Sequence, residues 1–328
     1  RAMTYRDGFA QNWATDNRMV GEWQWGNVEN TVLLGFDYRR ANSRSRDGNI
    51  YTFGAPINIF NPVYGNFTLS DSDLFYHRTG RHQTGYYIQD QLKIDERWIF
   101  LLGGRYDQAK SNDQNLSTGV DTRMDDTKFT KTAGMMYLFD NGVSPYISYA
   151  ESFLPVAGRD AYQNPYKPEM GKQTEVGVKY TPEGYNGYAS VALYNLEQDN
   201  VQTTDPNNSS VTVQTGQARS RGIELEMSGE VYSGLTLLAN YTYGKVEITK
   251  SLNPAEVGKR LPGLPLHQAS AWATYAFQGQ LAGLSVGSGV RYVGSSFGDK
   301  TEDPTLKVPA YTLWDAMIAY DSPKHTQH

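Results

Sequence analysis

The chain has 328 residues, a formal net charge of −5, no cysteine, 24 tyrosines and 32 glycines. The lack of cysteine excludes disulfides, thiolate chemistry and zinc–thiolate sites, and the mild acidity argues against a nucleic-acid partner. Mean hydropathy is negative and no apolar run reaches the roughly eighteen residues of a membrane helix. A membrane protein built of strands stays open, because such strands face lipid with every second residue only.

The chain opens on Arg1-Ala2-Met3-Thr4-Tyr5, which does not have the form of a signal peptide. From residue 16 the pattern is alternation. Met19, Gly21, Trp23 and Trp25 share one face, with Arg18, Glu22 and Gln24 on the other. Gly26-Asn27 then reads as a tight turn. Residues 28–40 return with Val32, Leu34, Phe36 and Tyr38 out, and Glu29, Thr31, Asp37 and Arg39 in. Period two marks a strand with one wet and one apolar face. The third strand puts Tyr86, Ile88, Leu92 and Ile94 opposite Gln89, Gln91 and Lys93. The fourth puts Trp98, Phe100, Leu102, Gly104 and Tyr106 opposite Arg105 and Asp107. Further strands are expected near residues 128–139, 143–153, 171–180, 187–200, 216–230, 235–247, 266–277, 284–294 and 310–320. That makes about thirteen, most near the ten or so residues a tilted strand needs to cross a bilayer. Two phases of 187–200 compete, Ala189, Val191 and Leu193 against Ala192, Tyr194 and Leu196.

Connections alternate in length. Residues 26–27, 95–97, 140–142, 181–186, 231–234 and 278–283 are short, whereas 41–80, 108–127, 154–170, 201–215, 248–265 and 295–308 are long. Short turns on one rim and long loops on the other are the pattern of outer-membrane barrels. Aromatic residues at strand ends fit the girdles at the two membrane surfaces, among them Trp23, Trp25, Trp98, Tyr106, Tyr137, Phe139, Tyr241, Tyr243, Tyr275 and Phe277. The expected fold is therefore all-β, a transmembrane antiparallel β-barrel. A soluble propeller or sandwich, with shorter strands and no such alternation of loops, is the competing architecture. An odd strand count, open edges and a tail (Lys324 to His328) that does not read as a strand lead to the expectation that residues 1–328 are part of a longer barrel.

Several runs resemble the TonB-dependent siderophore receptors. They are Thr84-Gly85-Tyr86-Tyr87-Ile88-Gln89-Asp90-Gln91, Leu101-Leu102-Gly103-Gly104-Arg105-Tyr106-Asp107, residues 146–153, residues 171–180 and residues 219–226. Ile59-Phe60-Asn61-Pro62-Val63-Tyr64 and residues 138–143 are similar to the hydroxamate (ferrichrome and ferrioxamine receptor) subgroup. The resemblance implies a plugged barrel of about 22 strands, with the plug domain and the first and last strands outside this sequence. It implies import of a ferric hydroxamate siderophore driven by the TonB–ExbB–ExbD complex. It further implies a monomer among outer-membrane lipid and lipopolysaccharide, with Fe(III) carried by the siderophore and no cofactor bound by the protein itself.

None of the five histidines, His77, His82, His267, His325 and His328, sits at metal-ligand spacing on a strand face. Aromatic side chains suit a bulky organic iron chelate, giving contact area at low entropy cost. The candidates are Tyr51, Phe53, Phe60 and Tyr64 in the first long loop, Tyr162, Gln163 and Tyr166 in a later one, and His77 as a hydrogen-bond donor. The charges of the first loop cancel, which suits a neutral or mildly cationic complex better than an anionic catecholate. Glu22, Asp37, Arg39, Lys93, Arg105, Asp107, Glu175, Lys179, Arg219, Arg221, Glu224 and Glu226 are expected to line the interior. By parity Arg219 and Arg221 share a face that excludes Glu224 and Glu226, unless a bulge near Gly222 intervenes. The competing functions are a catecholate or other receptor, a passive pore selected by lumen charge, and a hydrolase. The last lacks a constellation, since His267 and Ser270 lie on opposite faces of one strand.

Overall fold

The structure is a computed structural model that describes residues 3–50, 58, 60–63, 70, 72, 74–156, 158–160, 165–205 and 208–321. Twelve long strands follow one another: β1 (Met3–Trp25), β2 (Val28–Ile50), β3 (Phe75–Ile94), β4 (Trp98–Asn115), β5 (Val120–Tyr137), β6 (Val143–Leu154), β7 (Glu169–Tyr180), β8 (Gly187–Asp205), β9 (Asn208–Tyr232), β10 (Leu235–Lys250), β11 (His267–Ala276) and β12 (Leu284–Val293). A two-residue pair, β13 (Ser296–Phe297) and β14 (Lys307–Val308), sits in the next connection, and β15 (Tyr311–Tyr320) ends the order. Apart from β13 and β14, all join one 13-stranded antiparallel sheet in simple chain order, with β1 and β15 at its edges. Among the described residues no helix is long and apolar enough to cross a membrane.

The register assigns every side chain to one of two faces. Leu34 stands opposite Ile88, which stands opposite Gly104, and Tyr86 stands between Phe36 and Tyr106. Farther round, Val176 faces Leu193, and Leu193 faces Ile223. These apolar side chains are largely exposed, whereas few apolar ones are buried among the described residues, and those are mostly small. An exposed apolar face and a polar inner wall invert the order of a soluble core, as lipid requires.

Aromatic residues bound the apolar face. At the short-turn rim Trp23 and Trp25 pack together, Trp98 stacks on Phe100 and meets Tyr137 edge-on, and Tyr137 meets Phe139. At the other margin Trp13 meets Tyr38, Phe36 meets Tyr86, and the Tyr38 and Tyr241 hydroxyls each lie 2.9 Å from a histidine Nδ1, of His82 and His267. From Trp98 to Tyr106 is about 27 Å along the strand at about 3.4 Å per residue, or about 20 Å after a tilt near 40°. That is close to the height of an apolar membrane band.

The short turns follow local chemistry. Gly26 takes φ +59 in the two-residue β1–β2 turn, as the first central residue of a type II′ turn must. Asp95 and Glu96 adopt φ +53 and +57 in the β3–β4 turn, closed by Arg97 N–H donating to Ile94 O at 3.0 Å.

Three expectations change and one open alternative closes. Residues 41–50 and 75–80, and most of 108–127 and 201–215, are strand and not loop. β2 runs to Ile50, β3 begins at Phe75, β4 and β5 meet across residues 116–119, and β8 and β9 extend to Asp205 and from Asn208. The polar alternation there continues the ladder above the membrane, where no apolar face marks it. β1 begins at Met3 rather than near residue 16, for the same reason. Arg219 and Arg221 do not line the interior. They pair with Glu197 and Asn195 and with Glu247 and Lys245, in phase with Ile223 and Leu225, and no register shift occurs at Gly222. Glu224 and Glu226 take the inner face. The β8 phase is settled with Ala189, Val191 and Leu193 outward.

Candidate ligand-binding site

The inner wall of β2 to β5 reads as rows of side chains set by the register. Descending toward the short turns, the rows are Ala41–Arg81–Ser111–Met124, Arg39–Gln83–Ala109–Asp126, Asp37–Gly85–Asp107–Lys128 and Gly35–Tyr87–Arg105–Thr130.

Two glycines let long side chains cross a strand. A Cβ on Gly35 would fall 1.9 Å from the Tyr87 ring, so the phenol lies over β2 and its hydroxyl donates to Asp16 on β1 at 2.7 Å. A Cβ on Gly85 would fall 2.0 Å from Arg105 Nη2. Through that gap Arg105 Nη1 donates to Asp37 Oδ2 at 2.5 Å. Its Nε and Nη2 donate to Asp107 at 2.7 Å each, and Gln83 Nε2 adds a bond to Asp107 at 3.0 Å. The two carboxylates are 7% and 4% exposed and the guanidinium 31%, and the guanidinium lies over the Tyr87 ring. Two buried carboxylates on one bidentate guanidinium make a rigid, charge-assisted unit. A cavity of about 490 Å³ lies beside it, lined by Asp16, Asp37, Arg39, Gln89 and Thr132 among others. The same layering recurs at Gly177 with Tyr146 and at Gly222 with Tyr194.

Above the wall, two connections are clamped together. Glu302 accepts from the Arg260 side chain at 2.9 Å and from its backbone N–H at 3.1 Å, and Lys259 lies 3.8 Å away. The Arg260 guanidinium covers the Phe297 ring at 4.7 Å, and Gly263 N–H donates to Phe297 O at 2.8 Å. Burial works against the Glu302 charge, but the two Arg260 bonds with the Arg260 and Lys259 charges outweigh it and hold the carboxyl below its usual range.

Of the ligand residues expected from sequence, Tyr51, Phe53, Tyr64, Tyr162 and Gln163 lie outside the described residues. Phe60 is 91% exposed in the β2–β3 connection. His77 lies on β3 between Ser45 and Asn115, in phase with Gln83 and Tyr87 and so on the inner face. Tyr166 is half-buried beside Gly158, and its phenol is raised by burial and by Asp160. These three occupy separate elements. Arg81, Gln83 and Tyr87 were not singled out from sequence; extending the β3 alternation upward from Gln89 would have found them. Among the described residues no group of three or more His, Asp or Glu side chains could hold a metal ion.

A family profile described as TonB dependent receptor-like, beta-barrel, matches residues 2–327. The ferrichrome outer membrane transporter/phage receptor of Escherichia coli K12 is 38% identical over 95% of this chain and 42% of its own length. The ferrioxamine B receptor of Salmonella typhimurium LT2 is 41% identical over 94% of this chain and 43% of its own. The chain thus spans less than half the length of these relatives. Among solved structures, the ferric-catecholate import receptor Fiu from K12 E. coli superposes with a TM-score of 0.79 at 20% identity, covering 97% of this chain and 49% of that one. At that identity the likeness is one of fold. The matching profile, the two relatives and the inverted polarity of the sheet converge: this chain belongs to the TonB-dependent receptor family and matches its outer-membrane β-barrel.

Proposed function

We propose that the chain forms part of the wall of a receptor that imports a ferric hydroxamate siderophore across the outer membrane, powered by the TonB–ExbB–ExbD complex. The observation that carries this reading is the identity of 38% and 41% to receptors named for ferrichrome and ferrioxamine B. The catecholate-receptor structure shares only the fold at 20% identity. In this reading the open edges of β1 and β15 pair with further strands of a barrel of about 22. A plug fills the lumen and rests on the inner rows nearer the short turns, from Asp37 downward, and the protein works as a monomer. Iron is cargo wrapped by the siderophore, so the protein's task is to bind an organic surface. Tyr51, Phe53, Phe60 and Tyr64, with His77, Tyr162, Gln163 and Tyr166, remain the proposed contacts.

A second partner fits the outer face. Arg40, Arg44, Arg78, Lys110 and Arg123 line an outward cavity of about 1250 Å³, above the Trp13–Tyr38–His82 margin of the apolar band. Basic side chains just above an aromatic girdle suit the phosphates of outer-leaflet lipid, including lipopolysaccharide.

The test is tryptophan quenching on the full-length receptor in detergent with ferrioxamine B, ferrichrome and ferric enterobactin. Tight binding of a hydroxamate, weakened at least tenfold by Phe60→Ala or Tyr64→Ala, is expected. Binding of enterobactin alone would overturn the hydroxamate class.

A further inference from the structure

Two cations in the upper inner rows are left unmatched by the rest of the wall. Arg39 stands opposite Gln83, and Arg81, two residues along β3, stands between Ala41 and Ser111. The two arginines are therefore diagonal neighbours on adjacent strands, about 7–8 Å apart. Both are exposed on the inner face. Neither makes an ion pair or side-chain hydrogen bond among the described residues. They line one cavity of about 220 Å³ whose other walls include Gln83, Ser111, Met124 and Leu154.

The nearby acids do not neutralise them. Asp37 and Asp107 are both engaged by Arg105, and Asp16, diagonal to Arg39 on β1, is engaged by Arg18 and by the Tyr87 hydroxyl. Asp126 shares the row of Arg39 but lies two strands beyond Gln83, with Ala109 between. Burial and the adjoining Asp125 raise its carboxyl toward the neutral form. Lys128, one row below, adds positive charge. Two unpaired guanidiniums beside apolar walls repel each other, and a planar oxyanion between them would reverse that with forked hydrogen bonds.

We infer that Arg39 and Arg81 form a two-guanidinium seat for a carboxylate or comparable oxyanion carried on an arm of the ligand. The inference rests on the hydroxamate reading and adds to it a selection by arm charge. Ferrioxamine B carries a free ammonium, and succinylation of that amine replaces it with a carboxylate without altering the iron centre. On the full-length receptor in detergent, the succinylated chelate is expected to bind roughly tenfold tighter than ferrioxamine B, the scale of one charge-assisted bond pair. The double variant Arg39→Gln, Arg81→Gln should lose that preference, with neutral ferrichrome as the uncharged reference chelate, and an unchanged far-ultraviolet circular dichroism spectrum in detergent reports that it folds. Equal binding of both chelates by the unsubstituted receptor, or a preference that survives in the variant, overturns the seat and leaves the hydroxamate reading standing. If none of the three chelates binds, the hydroxamate reading fails, and inorganic phosphate decides the seat alone. Broadening of the phosphorus resonance that disappears in the variant upholds it, and no broadening overturns it.

Discussion

Glycine at two inner positions decides what the wall can be. Gly85 is the only residue type that lets Arg105 pass over β3 to Asp37, because any Cβ meets Arg105 and lies 2.8 Å from Asp37 Oδ2. Gly85→Val is expected to expel the guanidinium from Asp37 and leave a buried carboxylate without its charge-assisted bond. The cost should be about 1–3 kcal/mol, read by urea unfolding of the refolded protein in detergent. Gly103→Ala on the same face is the control, since its Cβ meets nothing closer than 3.6 Å. A loss shared equally by both variants would show that strand propensity, not the ion cluster, is responsible. The inward placement of Asp37, Arg105 and Asp107 was legible in the sequence, because alternation fixes a face. Their joining across an intervening strand was not, because register between strands leaves no trace in one strand's pattern.

Among the elements, what was legible follows the solvent each segment meets. Within the membrane band one face is apolar, so Val32 to Tyr38 and Trp98 to Tyr106 declare themselves as strands. Above it both faces are wet and residues such as 108–115 read as loop, though they continue the ladder to Asn115. Arg219 and Arg221 were assigned inward for a related reason: charge on an outward face is costly only inside lipid, and these sit toward the tall end of β9. The clamp between the β10–β11 and β12–β15 connections leaves no periodic signal at all, because Arg260 and Glu302 are 42 residues apart. It carries a pH signature. The Glu302 carboxyl is held below its usual range in the folded state. Its contribution is thus present above the unfolded carboxylate value of about 4.3 and is lost as pH falls through the lower folded value. Hydrogen-exchange protection of residues 251–266 and 294–310, taken relative to the intrinsic amide rate at each pH, should be high at neutral pH and should fall below about pH 4. In Glu302→Gln exchange should already be faster at neutral pH, with the acid step reduced. An unchanged acid step in that variant would assign the transition to another carboxylate, such as Asp299, which the Thr301 hydroxyl and the backbone N–H groups of Asp303 and Thr301 hold low.

For the whole molecule, the distribution of charge across the sheet carries the argument. Inward charges are largely consumed within the wall, as in Arg105 with two aspartates and Lys93 with Glu29 at 3.3 Å. Outward charges concentrate at the tall ends of the strands, where Lys110 pairs with Asp125 at 3.1 Å and Arg123 with Asp121 at 3.1 Å, while the outward Asp90 carboxylate, between Val32 and Leu102 within the apolar band, accepts from Asn30 at 2.7 Å. Arg40, Arg44 and Arg78 remain exposed on that face without an ion pair among the described residues. A ring of neutral side chains would have served a protein that meets only water there. Three unmatched cations beside Phe9, directly above the Trp13–Tyr38 pair, instead fit a boundary where acyl chains end and phosphates begin. Each basic residue near an anionic membrane surface is worth about 1 kcal/mol, so replacing all three by glutamine should weaken binding of lipid A vesicles by roughly 100-fold. Binding to phosphatidylcholine vesicles, which lack net charge, should change little, and raising salt should erase the difference between the two proteins. An equal loss on both vesicle types would mean that the substitutions disturb the sheet itself. No loss on lipid A would mean that these arginines serve the water-filled space around the receptor and not its lipid boundary.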